Sequence, residues 1–123
     1  MSKVPSLIDP TDEDWVSTFA PVEQKVAALP QSPVLRKNIP IATGFIDYFP
    51  RAIAAIAECS KIGNDQHNLG SALHWDRSKS GDESDALMRH FLERGTLDTD
   101  GVRHTTKVAW RALAMLEKEL EKR

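Results

Sequence analysis

The chain has 123 residues, with 16 lysines and arginines against 18 aspartates and glutamates, for a formal net charge of −2. That length fits one domain able to bury a core without disulfide or metal staples, and the charge speaks against general nucleic-acid binding or adhesion to an anionic membrane, both of which ask for net positive charge. A single cysteine, Cys59, excludes an internal disulfide, no apolar run approaches membrane-span length, and the first ten residues carry no signal-peptide pattern, so the expected setting is the cytoplasm.

All seven prolines lie in the first fifty residues, and each would cost a helix interior about 3 kcal/mol. Residues 1–44 therefore read as a proline-rich N-terminal wrap and 45–123 as a helical core, one domain overall. Within the wrap the pattern predicts short helices over 10–19 and 21–29, with Pro10 and Pro21 in first turns and Asp12, Glu13 and Asp14 near the positive end of a helix dipole. An extended segment over 31–44 follows. Trp15, Phe19, Val22, Val26 and Leu29 are placed to lie on the bundle as a cover.

From Pro50 the pattern turns helical. Residues 50–63 combine a first-turn proline, alanine-rich spacing and a Gly63-Asn64 stop, with Ile53 and Ile56 on the buried face. Glu58 leaves that stripe between Ala57 and Cys59 and is a candidate to point into a pocket. Residues 64–80 read as a long loop in which Trp75 must dock somewhere. The next helix runs from about 80–82 to Glu93 with Gly95 as its stop, presenting Leu87, Met88 and Phe91 on one face and an Asp85/Arg89 pair, spaced i,i+4, on the other.

Asp100 is placed to cap a last helix over 101–122. Its main stripe is Val102, Thr105, Ala109, Ala112, Leu113, Leu116 and Leu120, expected to face the core. Val108, Trp110 and Met115 lie elsewhere on the same helix, which argues for a second partner, either the N-terminal cover or another subunit in a homodimer. No strand is needed: the expected fold is all-α, a helical bundle of three main helices.

The chemistry is concentrated between His74 and His104, where five aspartates, three histidines, four arginines and Lys79 fall together. Carboxylates beside cations suit a metal-bound polyphosphate, the acids holding the cation and the bases the anion; a solvated, ion-paired surface uses the same residue types. Asp98, Asp100 and His104 fall within about one turn of each other where a loop enters a helix. Adding Glu58 and Asp85 from neighbouring helices would make an oxygen-rich site for Mg²⁺ or Mn²⁺. A P-loop, a CxxC pair, an HExxH motif and a nucleophile elbow are all missing from the sequence.

In order and spacing, Ala57-Glu58 followed by Gly63, Asn68 and Trp75 in the loop, Asp85 before Arg89-His90, and Gly95, Asp98, Gly101 and His104 resemble the dATP/dGTP diphosphohydrolase N-terminal family. That family is largely phage-encoded and related in concept to the MazG-like all-α pyrophosphohydrolases. The resemblance implies hydrolysis of a purine deoxynucleoside triphosphate to monophosphate and pyrophosphate, in a host cytoplasm if the chain is phage-encoded. It implies Glu58, Asp85 and Asp98 as metal ligands for Mg²⁺ or Mn²⁺, with Glu58, Asp85 and His90 as the catalytic set. Arg89, His90 and Lys79 would meet phosphate, and Asn68, Trp75 and His104 would shape the pocket. It adds weight to a dimer. Where the family commonly carries Lys-Tyr and a glutamate, this chain has Gln66-His67 and Thr96, so a binding or sequestering protein for a purine nucleotide stands as the alternative, with a structural or interaction domain third.

Overall fold

Ser32 and Pro33 set the first helix: the Ser32 hydroxyl accepts a hydrogen bond from the Leu35 backbone N–H at 3.4 Å, and Pro33 occupies the first helical position, where its missing N–H costs nothing. This short helix, α1 (Pro33–Lys37), is followed by a single wide turn, Ala42–Ile46, so 31–44 is not the extended segment that its prolines suggest. A serine cap directly before a proline is a helix start, and that local signal wins over proline content. The computed structural model describes residues 27–79 and 81–122; the helix expected over 10–19 and most of that expected over 21–29 lie outside the described residues.

Three longer helices follow: α2 (Pro50–Asn68), α3 (Glu83–Leu92) and α4 (His104–Glu121), with a short helical turn at Arg77–Lys79 and no strand among the described residues. The all-α class and its three main helices are as expected. α2 does not stop at Gly63 but runs on to Asn68, which shortens the loop to 69–82. A helical glycine costs about 1 kcal/mol, and tertiary contacts beyond it offset that: Asn64 is buried, and Gln66 donates to Asp100 at 3.0 Å. No single helix among the described residues is long and apolar enough to cross a membrane.

α3 and α4 form the principal packed pair, and α2 lies across α4. The buried residues of α3 and α4 are alanines and polar groups. Ala86 on α3 and Ala114 on α4 are buried, allowing the helices to approach closely, while Glu83 at the start of α3 is 6% exposed and accepts from Lys118 of α4 at 3.2 Å. The expected facing of α4 is met only in part: Val102 is buried and the leucines line a groove with Ile56 of α2, but the other side of the helix meets α3. His104, Lys107, Arg111, Ala114 and Lys118 recur on one side at 100° per residue, and that side contains the buried His104 and Ala114; Leu113, Leu116 and Leu120 lie on the opposite side, 41–51% exposed. Periodicity finds the two stripes but not which one meets α3. The ion pair and the buried histidine decide it, because these groups have their partners on α3 and in the loop before α4.

Candidate functional site

Residues 93–103 fold back on themselves between α3 and α4. Gly95 and Gly101 take φ of 87° and 83°, the left-handed region that L side chains rarely adopt, so the chain reverses on both sides of Asp98. Asp98 N–H donates to Val102 O at 2.8 Å, His104 N–H to Thr96 O at 3.0 Å, and Val102 is buried beneath. α4 begins at His104, so Asp100 is not the helix cap; its Oδ1 accepts from the Val102 N–H at 3.0 Å instead, closing the turn.

This rigid turn presents two carboxylates to one cation. Lys107, one turn along α4 from His104, donates to Asp98 Oδ2 at 2.7 Å and Asp100 Oδ2 at 2.9 Å, and the Gln66 amide reaches Asp100 from the end of α2. Hydrogen bonding from Lys107 holds both carboxyl groups below the usual carboxylate range; the Thr99 N–H adds to this for Asp98, and Gln66 and the Val102 N–H for Asp100. Burial works against the charge on Lys107, but its two carboxylate partners outweigh it and raise its pKa. All three groups are charged near neutral pH.

His90, on the last turn of α3, meets the buried His104 with their Nδ1 atoms 2.8 Å apart. Burial, and then the positive charge of Lys107, push His90 below the ordinary histidine value, so its imidazole is neutral at pH 7. His104 Nε2 lies 3.5 Å from Glu93 Oε1. Among the described residues His90, Asp98 and His104 form a group whose ligating atoms all lie within 4.8 Å of one another, close enough to hold a metal ion.

These groups border a cavity of about 480 Å³ between α2, residues 74–76 and α4, a size suited to a small-molecule ligand. Trp75 docks as its size demands, edge-on to Trp110 with ring centroids 5.5 Å apart, and the Arg77 guanidinium lies 4.1 Å over its ring. His90, Asp98, Lys107 and Arg111 supply the charged and titratable side of the wall. Cys59 faces the same space, its thiol pushed up by burial and so protonated. Asn64 Oδ1 and Trp75 Nε1 are enclosed in the wall without a hydrogen-bond partner, an arrangement that costs about 1–3 kcal/mol per group.

Of the residues expected from sequence, His90, Asp98, Asn68 and Trp75 line the cavity, and His104 stands behind His90. Glu58 and Asp85 are exposed and belong neither to the wall nor to the His90–Asp98–His104 group, so the oxygen-only set suited to Mg²⁺ is not assembled. Arg89 pairs with Asp82 at 3.0 Å rather than with Asp85, and Lys79 ends the short turn before α3. Lys107, Gln66, Trp110 and Arg111 were not anticipated as site residues. The signal for two of them was available: Lys107 and Arg111 fall three and seven residues after His104, on its face of the helix.

A family model described as dATP/dGTP diphosphohydrolase, N-terminal, matches residues 37–123. Neither a curated protein nor a solved structure matches the chain.

Proposed function

Because that match spans most of its length, the chain belongs to the dATP/dGTP diphosphohydrolase N-terminal family, and on this premise we propose that it binds a purine deoxynucleoside triphosphate in the cavity and, with a divalent cation, hydrolyses it to monophosphate and pyrophosphate. The observation that carries this reading is the division of one cavity into an aromatic side, Trp75 and Trp110, and a charged side, Lys107, Arg111, His90 and Asp98. The indole rings offer apolar surface to a base, and Arg111 offers positive charge to the phosphates, the Lys107 ammonium being already matched by Asp98 and Asp100. His90, neutral at pH 7, keeps a lone pair for a bound cation. A bound divalent cation supplies neutralisation of phosphate charge. In this reading the protein works on the nucleotide pool of the cytoplasm.

The alternative, binding or sequestering without turnover, is favoured by one observation: Thr96, standing where the family commonly has a glutamate, spends its hydroxyl on Glu93 O at 2.7 Å, so no extra carboxylate reaches the cation from that position. Incubating the protein with Mg²⁺ or Mn²⁺ and each of dATP, dGTP, ATP and GTP separates the two. Pyrophosphate and monophosphate released from a purine deoxynucleotide, and lost in His90→Gln, support the hydrolase; a nucleotide that binds tightly and is recovered unchanged supports the binder.

A further inference from the structure

We infer that His90, Asp98 and His104 form a metal site of two imidazoles and one carboxylate that takes a transition ion of the Mn²⁺, Co²⁺ or Zn²⁺ type in preference to Mg²⁺. This deepens the cation requirement of the proposed hydrolysis and assigns that cation to different ligands from the oxygen-only set of Glu58, Asp85 and Asp98.

The geometry is close to a coordination sphere. Ligands at about 2.1 Å from an ion lie about 3.0 Å apart when at right angles and about 4.2 Å apart when opposite. The two Nδ1 atoms are 2.8 Å apart and the whole set lies within 4.8 Å, near the spacing of ligands around one ion; the rings, with centroids 5.1 Å apart, have to turn to aim both lone pairs at it. Two imidazole nitrogens facing each other share at most one proton between them, or direct both lone pairs at one cation. Glu93 bears on this for His104: its carboxylate oxygen lies 3.5 Å from Nε2, and a proton held on that nitrogen leaves Nδ1 as the lone-pair nitrogen. Three different segments converge here, the end of α3, the turn at Asp98 and the start of α4, and the backbone bonds of residues 96–104 hold two of them in register.

The donor set decides the ion. Mg²⁺ seeks oxygen ligands and retains its waters, whereas two imidazoles with one carboxylate and open positions suit the later first-row ions. Lys107 adds a second feature, because its ammonium already sits on Asp98 Oδ2 and opposes any cation brought to that carboxylate. The site therefore binds its ion more weakly than its ligands alone would allow.

Metal-stripped protein titrated calorimetrically with Mn²⁺, Zn²⁺ and Mg²⁺, each alone and without nucleotide, tests this. One Mn²⁺ or Zn²⁺ per chain is expected, with Mg²⁺ at least tenfold weaker. His90→Gln and Asp98→Asn should each weaken Mn²⁺ at least tenfold with helix content unchanged by circular dichroism, Lys107→Gln should tighten it, and Glu58→Gln, Asp85→Asn and His74→Gln should leave it as it was. His104 is buried, so its variants can fail to fold; the visible spectrum of the Co²⁺-loaded protein gives an independent readout, and its imidazole-dependent bands should be lost in His90→Gln. Mg²⁺ binding as tightly as Mn²⁺, binding abolished by Glu58→Gln or Asp85→Asn but not by His90→Gln, or no transition ion bound at all would each overturn the site. Since no nucleotide is present, failure here leaves the hydrolysis assay standing, and failure of that assay leaves this titration standing.

Discussion

The two sides of α4 invert the usual arrangement of an amphipathic helix. Its inner side carries His104, Lys107, Arg111 and Lys118 toward α3 and the cavity, with Ala114 as the small contact residue; its outer side carries Leu113, Leu116 and Leu120 with roughly half their surface open. Burying charge costs free energy unless every group is partnered, and leaving leucines in water forgoes about 25 cal/mol per Å². Both costs are offset if the inner side has a chemical use and a second surface covers the outer side.

The sharpest way to break the inner side is to orphan its most enclosed charge. Glu83 is 6% exposed and is matched by Lys118 at 3.2 Å. Lys118→Ala leaves that carboxylate without this partner and should cost about 3 kcal/mol in urea unfolding, the range for one half of a buried pair. Replacing both, as Glu83→Leu with Lys118→Met, should recover most of the loss. If Lys118→Ala costs less than about 0.5 kcal/mol, the size of an exposed pair, the polar interior is not structural.

What the sequence disclosed divides along the same line. α2, α3 and α4 were legible because alanine-rich and 3.6-residue spacing do not depend on a partner, and Trp75 was legible because an indole of its size has to dock. His90, Asp98 and His104 stood out by residue type. Lys107 did not, since a lysine on a helix face is normally solvated, and only the doubled-back turn at 95–101 brings two carboxylates to it. Glu58 and Asp85 were drawn toward a shared cation by chemistry that no local spacing tests; in the fold both point to solvent. The direction of α4 was hidden because its leucine stripe and its ionic stripe are both regular, and the choice between them is tertiary.

The outer side gives a smaller effect on stability and a larger one on assembly. Leu113, Leu116 and Leu120 flank Ile56 in a groove between α2 and α4, and we propose that a second copy of the chain covers it. Val108 and Met115, two of the contacts the sequence suggested, are half-buried within the chain, while the third, Trp110, lines this groove as well as the cavity. Leu116→Gln with Leu120→Gln should change monomer stability by no more than about 0.5 kcal/mol, as expected of exposed positions, while shifting a dimer to monomer in light scattering at tens of micromolar, about the range in which a weak interface is populated. Wild-type protein already monomeric at that concentration would remove the second copy and leave the N-terminal 26 residues as the candidate cover.

The smallest effect, and the one that resolves the inner side into its parts, is the pH dependence of stability in metal-free protein. His90 has a folded-state pKa below its unfolded value, because burial and then the Lys107 charge disfavour the imidazolium. The unfolded chain therefore binds the proton more readily, so the stabilisation tied to neutral His90 is complete above the unfolded value of about 6.5 and is lost as pH falls through the folded pKa beneath it. Asp98 and Asp100 are also depressed, chiefly by hydrogen bonds from Lys107. Their contribution is complete above the unfolded carboxylate value of about 3.9 and is lost only as pH falls further. The melting temperature should thus decline in two separate windows, one just below pH 6.5 and one below about pH 4. His90→Gln should flatten the first and spare the second. Lys107→Gln should shrink both, since the same ammonium depresses all three groups. A first window unchanged in His90→Gln would mean that the loss just below pH 6.5 does not come from His90.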